Sequence, residues 1–388
     1  MTDLSPRALG RATLARQLLL RREPLTVPEA VRRVLALQAQ QAASPYLALW
    51  NRVAGFDPAE LDTAFAEQSV VKATLMRITL HAVHADDHLA LRGAMQQTLY
   101  AARLGYAFAE AGLTPADANR IVPELLEFAS RPRVSTEVEG WLRERLGAEK
   151  AAGAWWGLRA YAPLLHAPTG GPWSFGGPRN SYVSAPVGGV FPYVDRVPDP
   201  VGLRELILRY LAAFGPATAA DVARFGLLYT GPVKGALREL GDEVERLSGP
   251  GGAVYYDVPG GVRPDADVVA PPRLLPMWDS VLLAHAERGR VLPEEHRRVV
   301  IRVNGDVLPT VLVDGRVVGV WRVVDGGIEV SAFRRISGEA WEGVAAEAGE
   351  LWGVLEGRGG DPYKRYGRWW GKLPEAEAEE VRVVGGAQ

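Results

Sequence analysis

The sequence predicts an α+β fold: tandem winged-helix (helix-turn-helix) units, then a β-rich C-terminal half-barrel with a terminal helix. Three observations predict it. Two helices followed by a hairpin can be read from residue 133 to residue 175, and the same grammar returns from 203 to 258. Residues 299–333 are then a run of short β-branched segments separated by Asn304-Gly305-Asp306, Asp314-Gly315-Arg316 and Asp325-Gly326-Gly327, which are hairpin-turn sequences. At 388 residues, 47% hydrophobic and 23% charged, the chain is long enough for about two to four domains. The expected division is a winged-helix-like unit over 1–130, a second over 131–196, a third over 197–262, and the β-rich part over 263–388.

Composition excludes several classes. Without cysteine, the chain has no disulfides, iron–sulfur clusters or thiolate zinc sites. A net charge of −2 and a pI of ≈ 6.4 argue against coating nucleic acid by bulk electrostatics, though local basic surfaces can still bind phosphate. The N-terminal apolar residues are interrupted by Arg7, Arg11, Arg16 and Arg21, so neither a signal peptide nor a membrane span is visible. A cytoplasmic monomer that does not engage a membrane is expected.

An arginine-rich helix opens the chain and runs to about Arg22. Thr26 as N-cap, Pro28 in the first turn and Glu29 at capping-box spacing start a second helix, which is expected to run from about Pro28 into Gln38-Ala39-Gln40. Ser44-Pro45 signals another start. The two glutamines therefore sit near a helix junction. Residues two apart diverge on a helix but share a face when extended. If both amides serve one site, the helix must loosen there; otherwise they are solvated or satisfy backbone groups at the junction.

A helix from Pro58 to about Gln68 follows, then Arg77 to Val83 alternates as a strand and Ala85 to about Leu104 returns to helical periodicity. Of His81, His84 and His88 only the last two share helical spacing, and no HExxH order exists, so no metal site is expected. In the second unit Ser135 caps a helix to Leu146. A helix around Trp155 to Tyr161 follows, and Leu164-Leu165-His166 and Trp173-Ser174-Phe175 flank a Pro/Gly turn. A Pro/Gly-rich linker spans 185–200.

The third unit has helices from Leu203 to Ala213, Ala219 to Phe225 (capped by Thr218) and Val233 to Leu240, then a wing at Ser248 to Gly252. It carries six basic against seven acidic side chains over 201–260, so scaffolding suits it at least as well as groove reading. Residues 288–335 hold nine arginines against six acids, and a hairpin edged by arginines can enter a minor groove. The terminal helix spans about Gly338 to Leu355, and an acidic tail carries Glu375, Glu377, Glu379 and Glu380.

Four pieces taken together resemble the winged-helix DNA glycosylases of the AlkZ/YcaQ type. They are Leu37-Gln38-Ala39-Gln40; Met76 to Val83 followed by Asp86-Asp87; Leu274 to Asp279; and Asn304-Gly305 with Leu308 to Arg322. The resemblance spans about residues 8–356. It implies a monofunctional DNA glycosylase with no metal or organic cofactor. Its partner is double-stranded DNA with alkylated purines, its substrates N7-alkylated bases including interstrand crosslinks, and its role repair or self-resistance to a DNA-alkylating natural product.

The family's Gln-x-Gln or Gln-x-Asp motif maps its catalytic residues onto Gln38 and Gln40. The chain departs from the pattern at Ala39, where the family has an aliphatic residue, and at Ile78, where an Arg-Gly-Thr-Leu-His sequence usually has Gly. Arg77, Thr79 and His81 are expected beside the same site, contacting phosphate or sugar, or else packing as strand residues. Arg288, Arg290 and Arg316 are further DNA-contact candidates. Asp279 is expected to be structural, capping a helix after it or pairing with an arginine. Two other functions stay open: a winged-helix DNA-binding regulator without chemistry, and an interaction scaffold. The regulator is disfavoured by Val233 to Leu240, which offers only Lys234 and Arg238 to base edges.

Overall fold

Helix α1 (Pro6–Arg16) starts where the Ser5 side chain accepts the Ala8 amide. In α2 (Val27–Arg33) the Glu29 carboxylate accepts both the backbone N–H and the hydroxyl of Thr26, at 3.0 and 2.7 Å, as the capping-box spacing indicates. The helix then stops short of the glutamines. Leu35 turns into the left-handed region at φ 73, and Leu37-Gln38 becomes strand β1 (Leu37–Gln38). The expected run of helix into the motif is thus corrected, because antiparallel pairing with Ala82 and His81 claims these backbone groups instead. α3 (Ser44–Trp50) and α4 (Pro58–Ala66) form where their start signals place them.

These are the coordinates of a computed structural model, which describes residues 4–186, 199–373 and 378–386. Most of the linker and Glu375 and Glu377 of the tail lie outside them. Next come β2 (Val70–Thr74), a 3₁₀ turn at Met76–Ile78, β3 (Leu80–His84), α5 (Ala85–Ala94), α6 (Gln96–Leu104), α7 (Ala107–Glu110) and α8 (Pro115–Phe128). The strand expected from Arg77 begins only at Leu80, since Arg77 and Ile78 form the turn of a β2–β3 hairpin. Beyond lie β4 (Arg133–Val134), α9 (Ser135–Leu146), α10 (Ala148–Tyr161), β5 (Leu164–Ala167) and β6 (Ser181–Ser184). The partner of β5 is β6, not Trp173 to Phe175. Trp173 is instead buried edge-on to Tyr46, 5.2 Å between rings, and the Tyr46 hydroxyl donates to Ser174 Oγ at 2.7 Å.

One six-stranded antiparallel sheet, ordered β1-β3-β2-β5-β6-β4, joins the two expected N-terminal units across residue 130. Three helices, α11 (Pro200–Phe214), α12 (Ala219–Gly226) and α13 (Thr230–Glu239), precede a two-stranded hairpin of β7 (Glu245–Ser248) and β8 (Val254–Asp257). The last sheet contains β9 (Arg273–Leu275) and, after the short α14 (Arg297–Val300), β10 (Thr310–Val313), β11 (Arg316–Val324) and β12 (Gly327–Ala332). After α15 (Gly338–Glu356) and a 3₁₀ run at Lys364–Lys372, β13 (Glu380–Val384) completes it in the order β13-β12-β11-β10-β9. Val299-Val300, expected in a strand, closes α14 instead; short apolar runs do not distinguish the two by periodicity.

Burial binds the ends of the chain together. One core unites Leu14, Val31, Tyr46 and Leu49 with Leu274, Val311, Trp321 and Leu351, while a second gathers Leu35, Met76 and Val83 with α5 to α13. Gln38 lies where these two bodies meet.

Candidate functional site

The β1 backbone pairs Gln38 with His81, and the amide of Ala39 donates to the carbonyl of Leu80 at 2.8 Å. The segment is therefore extended, Gln38 and Gln40 share a face, and Ala39 between them is fully buried. Both glutamines line a cleft of ≈ 860 Å³. Its walls are the β2–β3 turn (Arg77, Ile78, Thr79), the end of α12 (Arg224), and a C-terminal wall with Trp278, Arg288, Arg297, Arg298 and Asn304.

A hydrogen-bond network fixes Gln38. Its Nε2 donates to Thr79 Oγ1 at 3.0 Å, and its Oε1 accepts from Arg77 at 2.9 Å. The Thr79 hydroxyl donates in turn to the Met76 carbonyl. Arg77 also donates to the Phe225 carbonyl at 3.1 Å and to His81 Nε2 at 3.2 Å, so the His81 proton resides on Nδ1, which donates to the Thr79 carbonyl at 3.1 Å. Burial first, and Arg77 second, push the His81 pKa down to about 3; the ring is neutral. Arg77 falls to about 10, chiefly through desolvation and then through repulsion by Arg288 and Arg224, and it stays charged at neutral pH. Gln40 is exposed, its Oε1 3.5 Å from the Leu80 amide, so its amide keeps its bonding capacity for a ligand.

Arg77, Arg224, Arg288 and Arg298 have no carboxylate within 4.0 Å among the described residues, whereas Arg297 reaches Glu294 at 3.2 Å. Arg288 is lowered by burial and by the neighbouring Arg224 and Arg297. With Arg77, Arg224, Arg288, Arg297 and Arg298 against Glu294 and Asp306, the cleft is a concave surface of net positive charge, suited to a polyanion. On the far side of Gln40 and Ile78 a second cavity of ≈ 220 Å³ opens, and both residues line both spaces.

The structure brings Gln38, Gln40, Arg77, Thr79 and Arg288 to the cleft and sets His81 behind it. Arg290 and Arg316 lie elsewhere. The Arg290 side chain is 8% exposed, 3.8 Å from Asp221 and 3.5 Å from Thr13, so it is corrected to a packing residue of α1 and α12. Arg316 is exposed at the β10–β11 turn, whose Asp314 is held by Arg7 and Arg11 of α1. Asp279 pairs with Arg52, two bonds of 2.9 Å with both side chains fully buried, and caps the Val281 amide. Of the histidines, His84 accepts the Asp86 amide and His88 is buried singly.

Sequence reasoning did not single out Arg224, Arg297, Arg298 or the segment Tyr363–Leu373. In that segment Trp369 donates to Asp306 at 2.7 Å, and Arg365 donates to Gln41 at 3.2 Å. Its alternation of cations with buried Tyr366, Trp369 and Trp370 was the available signal.

Among the described residues, no helix is long and apolar enough to cross a membrane. A family model described as DNA glycosylase AlkZ-like matches residues 31–353. A curated relative, the interstrand DNA cross-link repair glycosylase of Streptomyces sahachiroi, is 28% identical over 365 residues, covering 86% of this chain and 93% of that protein. The solved structure of Streptomyces sahachiroi DNA glycosylase AlkZ superimposes with a TM-score of 0.76 at 22% identity, covering 92% of this chain and 98% of that one, which shows a shared mixed α and β fold. With the family pattern running through the motif, the β2–β3 turn and the C-terminal sheet, the chain belongs to the AlkZ-like family of DNA glycosylases.

Proposed function

We propose that the protein hydrolyses the N-glycosidic bond of N7-alkylated purines in duplex DNA, interstrand crosslinks included, with Gln38 and Gln40 as its catalytic pair. The observation that carries this reading is their common face on an extended segment, turned into an arginine-rich cleft. The relative's name supports the crosslinked substrate. A base tethered to both strands resists extrusion into a closed pocket, and two cavities meeting at Gln40 suit a strand laid through a trough.

N7 alkylation makes the purine cationic, so it departs without a strong general acid. Water adds to C1′ as the C1′–N9 bond breaks; its electron pair neutralises the base, and the water's proton passes to solvent. An amide is not a base near pH 7, but its carbonyl orients water and its dipole stabilises the oxocarbenium-like sugar, about 3–4 kcal/mol per well-placed group at most. The two glutamines divide this work. Gln38, held at both ends of its amide, is the preorganised dipole; Gln40, free at the surface, holds the water. Arg77, Arg224, Arg288 and Arg298 bind backbone phosphates, whose charge offsets that of Arg77 beside the developing cation. The unit α11 to β8 serves as a winged-helix scaffold that delivers Arg224.

The test incubates the protein with a duplex bearing one N7-methylguanine and scores alkali-labile abasic sites against spontaneous depurination. Excision above that baseline, lost in a folded Gln38→Ala/Gln40→Ala variant, is expected. Wild type at baseline on both simple and crosslinked lesions contradicts the proposal.

A further inference from the structure

The cavity beyond Gln40 has a chemistry of its own. Arg103 of α6 and Arg159 of α10 line it together with Thr74, Leu80, His166, Asn180 and Tyr182. Neither arginine has a carboxylate within 4.0 Å among the described residues, whereas Arg16, Arg52 and Arg273 of the scaffold do. The Arg103 guanidinium lies 4.8 Å from the centre of the Trp156 ring, and its Nε is buried without a hydrogen-bond partner. Arg103 is held below its ordinary pKa by burial and by Arg159. His166, lowered to about 3 by burial, Lys72 and Arg159, adds no charge. The cavity therefore presents two cations, the amides of Gln40 and Asn180 and a phenol, with no anion among its lining residues.

We propose that this cavity is a phosphodiester subsite, holding a backbone phosphate of the DNA strand whose target nucleotide occupies the cleft. It rests on duplex DNA being the substrate, as proposed above. A planar guanidinium fork matches the paired oxygens of a phosphate, and its fixed charge does not titrate away. The ligand must also be continuous with the cleft, because Gln40 and Ile78 wall both spaces. A DNA strand meets this condition, since it carries a charge at about every 3.4 Å of rise, so a phosphate close to the target sugar falls beyond Gln40. Ile78, an apolar side chain on the ridge between the two spaces, then lies against the sugar that connects them.

The experiment measures affinity for undamaged duplex against salt concentration for wild type, Arg159→Ala and Arg103→Ala/Arg159→Ala. One lost phosphate contact lowers the log–log slope by about 0.9. A neutral methylphosphonate is then walked along the strand; at one position it weakens wild type and leaves the double variant unaffected. Arg159 is exposed at the rim, so the single variant decides the matter if loss of the Arg103 stack unfolds the protein. Folded variants with the wild-type slope and no such position overturn the proposal. So does loss of inorganic phosphate binding with duplex binding intact, which makes the cavity a free-anion site. A wild type that binds duplex with these slopes but excises nothing refutes the glycosylase mechanism and leaves the subsite standing.

Discussion

Arginine does two different jobs in two regions of this molecule. Three buried arginines of the scaffold each hold a carboxylate: Arg16 with Asp257 at 2.7 and 2.8 Å, Arg52 with Asp279, and Arg273 with Glu347 at 2.9 Å. The first two pairs tie the N-terminal helices to elements more than two hundred residues away. In the cleft Arg77, Arg224 and Arg288 have no carboxylate within 4.0 Å among the described residues, and burial first, repulsion by neighbouring arginines second, pushes Arg77 and Arg288 below their ordinary pKa. A paired buried charge is neutral to its surroundings and holds geometry; an unpaired group of like charges opposes folding and is retained where a ligand neutralises it. Several unpaired arginines gathered in one concavity, more than any single arginine, mark the site.

The largest effect expected of a single substitution breaks the scaffold side of this contrast. Asp279→Ala leaves Arg52 charged and fully buried, which costs about 3–5 kcal/mol; denaturant unfolding should show it, and a loss under about 1 kcal/mol means the pair is solvated. The next sharpens the cleft side. His81, His88 and His285 are all held near 3 by burial and a neighbouring arginine. The unfolded chain takes up these protons below about pH 6.5 while the fold does not, so stability drops as pH falls from 6.5 toward 3, by up to about 1.4 kcal/mol per pH unit for each ring. Under the proposal that arginines carry duplex affinity, that affinity should not respond to histidine titration between pH 5 and 8. A change of affinity centred near pH 6.5 assigns a histidine to the DNA surface.

A smaller effect concerns the turn that aims Arg77. Ile78 adopts φ 58, a conformation that costs a non-glycine residue roughly 1–2 kcal/mol. Glycine removes the strain while alanine keeps it, so Ile78→Gly should be more stable than Ile78→Ala by about 1 kcal/mol. The reverse order in thermal unfolding places the residue outside the left-handed region.

That turn also explains what the sequence could and could not reveal. The capping box at Thr26 and Glu29, the Asp314-Gly315 and Gly326-Gly327 hairpins and the C-terminal helix are local, and their residues announce them. The β2–β3 turn uses Arg77 and Ile78, neither a turn former, so the alternation reads through it as strand. The helix expected through Gln38 is lost to a partner strand forty residues away, and tertiary pairing of that kind leaves no local trace. The candidate pair of glutamines was visible from its placement and from the family resemblance. Arg224 was not: it reaches the cleft only because α12 packs on the turn, and its lack of an acidic partner is a property of the folded chain. Lys364–Lys372 likewise joins the site through Asp306 and Gln41, contacts of more than sixty residues' separation.

The most direct test uses two arginines separated by one glycine. Arg288 lines the cleft without a carboxylate, and Arg290 is buried against Asp221. The measurement is the salt dependence of duplex affinity, with thermal unfolding alongside, for Arg288→Ala and Arg290→Ala. The expected result is a slope lowered by about 0.9 for Arg288→Ala with a melting temperature that does not fall, and for Arg290→Ala a lowered melting temperature with an unchanged slope. Equal slopes in both variants and wild type would contradict the assignment of the unpaired arginines to DNA.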